Sequence, residues 1–196
     1  MSKITYTAKA DNTISALPEI NKVTASDMNE IKTSVNVLYD NLPGWARYDD
    51  TQYTALAPYN FAGATAFTIP NNAGNVINTN ILSAVPFYNG SEAKVYGENE
   101  NDVYIITVAF KAKIENANGY IEVFMQGGNG TPYDRIRNTV TFPKGNNIEH
   151  SFALNFQYYA DEDVIANGLT LKILPSHVGT IYEVIYFIQC TQKHLI

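Results

Sequence analysis

From Val103 to Ile114 the chain alternates strictly: Tyr104, Ile106, Val108, Phe110, Ala112 and Ile114 take the even positions, and Thr107, Lys111 and Lys113 lie opposite. A run of that period fits a β-strand with one face buried and nothing helical. The pattern recurs. Ile121, Val123 and Met125 alternate with Glu122 and Gln126; Phe152, Leu154, Phe156 and Tyr158 with Ser151, Asn155 and Gln157; Leu169, Leu171 and Ile173 with Thr170 and Lys172. Such strands belong to antiparallel sheets that show one side to water. Asn89-Gly90, Asn118-Gly119, Asn129-Gly130 and Asn167-Gly168 supply the positive-φ residues of tight turns, and Pro70-Asn71-Asn72 and Pro143-Lys144-Gly145 punctuate other strands. With Gln52–Leu56, Thr65–Ile69, Asn75–Ile81 and Ala93–Tyr96 added, about eight to ten strands fit after Trp45 without a helical pattern among them. The prediction is a mainly β jelly roll or β-sandwich over residues 44–196.

The last strand reads differently. Tyr182, Val184, Tyr186, Ile188 and Cys190 form one face, and Ile181, Glu183, Ile185, Phe187 and Gln189 the other. Apolar residues on both faces call for burial on both. One face suits the domain's own core; the other, through Ile181, Ile185 and Phe187, suits a subunit interface.

Only Thr24 to Leu42 follows a helical period. Met28, Ile31, Val35, Leu38 and Leu42 are spaced as the a/d seam of a coiled coil. Thr24 and Asp27 form a capping-box signature, and Pro43-Gly44 ends the helix. A helix of about 17 residues does not hold in water alone, because nucleation is unfavourable, so it needs partners. Ile31 at d leans towards three strands, with Asp27 at g and Lys32 at e positioned to pair between parallel neighbours. The same spacing also serves a single amphipathic helix packed on its own domain, since about two heptads fall short of a decisive repeat. Before it, residues 1–23 carry Ile4, Tyr6, Ile14, Leu17 and Ile20 without a sustained period, which fits a disordered tail or an arm that orders on a docking surface. The expected organisation is therefore an arm over 1–23, a coiled-coil helix over 24–43 and the jelly roll over 44–196.

Charged residues make up only 16% of the 196 residues and the net charge is −6. That excludes a basic surface for nucleic acid. The apolar runs are far shorter than the roughly 18 residues of a membrane span, and the N-terminus lacks the apolar stretch of a secretory signal, so synthesis in a cytoplasm is expected. The single cysteine, Cys190, allows no intrachain disulfide and reads as a small core residue.

The sequence offers no catalytic constellation and calls for no cofactor. His150, His177 and His194 lack metal-ligand spacing. The carboxylates Asp49-Asp50, Glu98, Glu100 and Asp102, and Asp161-Glu162-Asp163 sit among turn residues and read as solvated, although Asp161 and Asp163 also suit a calcium loop. Gly127, Gly128 and Gly130 mark a hairpin tip and not a phosphate loop. Among fourteen tyrosines, Tyr88, Tyr96 and Tyr133 lie on expected loops where an aromatic face could stack on a sugar ring.

Residues 21–42, NKVTASDMNEIKTSVNVLYDNL, resemble the short helix that recurs near the N-termini of fibre and decoration proteins of tailed bacteriophages. GYIEVFM, SFALNFQYY and TIYEVIYFIQCTQKH resemble the strands of TNF/C1q-like jelly rolls at the tips of such fibres. The resemblance implies a homotrimer, with three parallel helices and three jelly rolls about one axis, held by its N-terminal arm to a capsid or a capsid-bound adaptor. It places the protein on the virion surface and, because the chain is short for a tail fibre, on the head. Distal loops would touch host-surface glycans weakly but multivalently. A receptor-binding tail or collar fibre is the alternative, and a glycan depolymerase using Asp161 and Asp163 a more distant one.

Overall fold

The computed structural model describes residues 25–40, 44–79, 87–129, 131–143 and 147–194. By its contacts the chain divides into residues 1–42 and residues 43–194. In the first unit, the periodic segment forms α1 (Ala25–Asp40). Thr24 and Leu42 lie outside the described residues, as do Ile4, Tyr6, Ile14, Leu17 and Ile20.

In the second unit the strands are β1 (Trp45–Asp49), β2 (Tyr59–Phe61), β3 (Phe67–Thr68), β4 (Asn75–Thr79), β5 (Tyr88–Asn89), β6 (Lys94–Val95), β7 (Val103–Ile114), β8 (Tyr120–Gly127), β9 (Tyr133–Thr141) and β10 (His150–Tyr159), then a short helix α2 (Glu162–Asn167), β11 (Leu169–Pro175) and β12 (Gly179–Gln192). One antiparallel sheet runs β10-β7-β12-β1-β4 with β2 beside β12; the other runs β5-β6-β11-β8-β9 with β3 beside β11. From β6 onward the chain crosses repeatedly between the sheets, so sequence neighbours seldom pair, and the result is a jelly-roll sandwich.

The alternating residues line its core. Tyr104, Ile106, Val108, Phe110, Ala112 and Ile114 of β7 face Ile121, Val123, Leu169, Leu171 and Ile173 of the other sheet within one buried cluster. Tyrosines enter that core because their hydroxyls find partners inside it: Tyr88 Oη donates to the Asn71 carbonyl (2.5 Å), Tyr158 Oη to the Tyr96 carbonyl (3.1 Å) and Tyr186 Oη to the Ile69 carbonyl (3.4 Å). The rings stack as well, Tyr88 edge-on to Tyr186 at 4.9 Å and Tyr104 against Tyr158 at 5.2 Å. Tyr88 is therefore a core residue and not a loop aromatic.

Two local expectations change. Gln52–Leu56 is a turn and not a strand, because the Asp50 carboxylate accepts the Tyr53 N–H (2.8 Å) and Thr54 and Ala57 pair across the bend. Asn167-Gly168 ends α2 instead of closing a hairpin: Gly168, at φ 68°, donates its N–H to the Val164 carbonyl.

Candidate assembly surfaces

The apolar stripe of α1 is partly exposed. Met28 is 37% exposed, Ile31 53% and Val35 40%. A globular helix buries such a stripe on its own domain. The Leu38 side chain lies outside the described residues.

The second surface is the outer face of the sheet that contains β12. Cross-strand register sets Asn155, Thr107, Phe187, Arg47 and Ile77 side by side on β10, β7, β12, β1 and β4, with Ala153, Ala109, Ile185, Asp49 and Asn75 as the adjoining row. Gln157, Ile105, Gln189 and Trp45 make a third, and the Trp45 and Phe187 rings meet at 5.3 Å. The centre of the face is thus Ile105, Ala109, Ile185, Phe187 and Trp45, all half-buried. Polar groups rim it: Thr107 Oγ1 donates to Asn155 Oδ1 (2.6 Å) on one side, and Arg47 pairs with Asp49 (2.6 Å) on the other. An apolar centre inside a polar rim is the anatomy of protein interfaces.

Ile181 does not belong to this face. It is fully buried in the chain's own core, away from Ile185 and Phe187. The reason is a β-bulge: between Tyr182 and Ile185, β12 places two residues opposite one of β7, with Glu183 at φ 52°. The extra residue exchanges inner and outer faces. Before it Ile181 points inward and Tyr182 outward; after it Val184 points inward and Ile185 outward. Tyr182 is nevertheless covered, its hydroxyl bonded to the Glu149 carboxylate, and burial together with that carboxylate pushes the phenol up to about 12.

The carboxylate clusters turn out to be structural. Asp102 is fully buried. Its oxygens accept from the Asn99 N–H (3.2 Å), the Tyr104 hydroxyl (3.2 Å) and the His194 N–H (2.7 Å), which ties the end of the chain to the start of β7. Asp161 caps α2 by accepting the Val164 N–H (2.9 Å), and Asp163 accepts from Gly128 N–H (3.0 Å) and Asn167 Nδ2 (2.8 Å). The Asp161 and Asp163 oxygens thus accept from protein donors, and among the described residues no group of three His, Cys, Asp or Glu is placed to hold a metal ion. His150 packs edge-on against Phe142 at 5.3 Å, and Cys190 is buried with its thiol pushed up to about 11 by burial.

No family of known proteins matches the sequence, and no curated protein does. Among solved structures the chain is similar to the Eiger TNF of S. frugiperda, at 10% identity and a TM-score of 0.46 over 78% of this chain and 96% of that one. It is also similar to the PRD1 vertex protein P5, at 12% identity and 0.43 over 77% and 73%, and to a chain of the cowpea mosaic virus top component, at 11% identity and 0.34 over 80% and 88%.

Proposed function

We propose that the chain is a structural virion protein without catalytic activity, a homotrimeric fibre that decorates the head of a tailed bacteriophage. The arm over residues 1–23 anchors it to the capsid or to a capsid-bound adaptor, and it aids adhesion to the host surface. The observation that carries the reading is the a/d stripe of α1: in a helix of only 16 residues, too short to offset the cost of nucleation by its length, Ile31 and Val35 stay 53% and 40% exposed. Neighbouring copies supply the missing contact at the a/d positions, and the apolar centre at Ile105, Ile185 and Phe187 offers them a second one. The phage-fibre likeness of residues 21–42 supplies the biological setting.

Light scattering on the purified chain tests assembly. Three chains of 21.7 kDa weigh about 65 kDa. That mass is the expected result, and a mass of one chain would overturn the three-chain reading. Anchoring is read separately, by whether a chain lacking residues 1–20 still joins the particle.

A further inference from the structure

Where the free edge of one sheet meets the free edge of the other, β9 and β10 border an open cleft of about 390 Å³ lined by Tyr133, Asp134, Arg135, Gln157, Tyr159 and Asp161. A second cleft of about 370 Å³ shares Gln157 and Tyr159, so the two run on as one groove. The volume is that of a small-molecule site.

A second β-bulge shapes the groove. Gln126 faces Asp134 and Met125 faces Ile136, which leaves Arg135 opposite no residue of β8. Bulges commonly re-aim one side chain, and here the guanidinium lies between two tyrosine rings, 5.3 Å from the centre of Tyr133 and 5.5 Å from that of Tyr159. One of its nitrogens, Nη2, donates to Tyr133 Oη (2.6 Å) and to Asp161 Oδ2 (2.5 Å), and the Tyr133 hydroxyl bonds to Asp163 Oδ2 (2.9 Å). Buried Nε has no acceptor among the described residues. Both rings stay open to solvent, Tyr133 42% and Tyr159 56% exposed.

We propose that this groove binds a neutral saccharide. Exposed aromatic faces match the C–H face of a pyranose ring, while Arg135, Gln157, Asp134 and Asp161 supply the mixture of donors and acceptors that sugar hydroxyls, which are both, require. The charge balance argues against an anion: Arg135 is already paired with Asp161 and Asp134 with Arg137, so among the described residues that line the groove no cation is left uncompensated. Against the proposed function, this site gives the adhesive part of that reading a location, on the sandwich edge and not on distal loops. The groove is built within one chain, although Gln157 belongs both to it and to the outer face of the β12 sheet.

The test is a panel of immobilised neutral oligosaccharides built from glucose, galactose, mannose and N-acetylhexosamines, with sialylated and sulfated sets beside it, probed with the wild type and with Tyr159→Ala and Tyr159→Phe. The expected result is retention on at least one neutral sugar, weakened about tenfold by Tyr159→Ala and kept by Tyr159→Phe. Tyr159 is exposed enough that its truncation leaves the fold intact, which an unchanged melting temperature checks. Retention on no neutral sugar, retention on anionic sugars alone, or indifference to Tyr159→Ala would overturn the proposal. Weighing the same samples separates the two readings: a single-chain mass with sugar binding overturns the trimer alone, and a three-chain mass without it overturns this site alone.

Discussion

Asp102 shows how much a single buried group carries. With the carboxylate removed, Asn99 N–H, Tyr104 Oη and His194 N–H lose an acceptor, the Tyr104 hydroxyl among them in the buried core. Each stranded donor costs about 1–3 kcal/mol, so Asp102→Ala should lower stability in urea by about 3 kcal/mol, and Asp102→Asn, which keeps one oxygen, by less. A loss within the range of an ordinary surface change would show that the network is ornamental. The acids around α2 make a pH prediction. Burial acts to raise the Asp161 carboxyl, but the Val164 amide and the Arg135 guanidinium outweigh it, and Asn167, Tyr133 and Gly128 hold Asp163 down, so both sit below the ordinary 3.8. Groups depressed on folding stabilise at pH above their unfolded pKa and lose that contribution as pH falls through the folded one. The lead of the wild type over Asp161→Asn in melting temperature should therefore be full at neutral pH and shrink from about pH 4 downward. A gap that stays constant into acid would sink the assignment.

At the scale of the element, two bulges decide where side chains point. In β12 the bulge rests on Glu183 at φ 52°, with its N–H bonded to the Tyr53 carbonyl (3.1 Å) and Asp50 N–H bonded to the Val184 carbonyl (2.8 Å). A β-branched side chain tolerates that backbone poorly, so Glu183→Val should cost about 1–2 kcal/mol beyond any loss of the exposed Lys111 pair. Thermal melts check the cost, and an unchanged melting temperature would mean that the bulge relaxes without consequence. Such an inserted residue leaves no trace in an alternating pattern whose two faces are both apolar. That is why Ile181 reads as an outer residue in sequence and lies in the core of the fold. α2 was hidden for a related reason: six residues are too few to show a helical period, and Asp161, its cap, looks like any turn carboxylate.

At the scale of the whole molecule, the proposed assembly rests on the α1 stripe and on the outer face of the β12 sheet. Ile31→Asp sets a charge at the d position and should loosen or separate the copies at a cost of several kcal/mol per assembly, read as a fall in mass by light scattering. An assembly that kept its mass would assign association to the sheet face alone. Phe187→Asp then asks the same question of that face, where Phe187 stacks on Trp45.

Residue periodicity alone determined that residues 25–40 are helical and that β7, β8, β10 and β11 are strands, because each is a local consequence of where the next apolar residue falls. The depth of Asp102, the inward turn of Ile181, the inclusion of Tyr88 in the core and the meeting of Tyr133, Arg135 and Tyr159 across two sheet edges were decided only by tertiary structure. Each depends on which strand lies beside or above which, and on a residue inserted into one of them, and that pairing joins segments far apart in the chain through contacts no local period encodes.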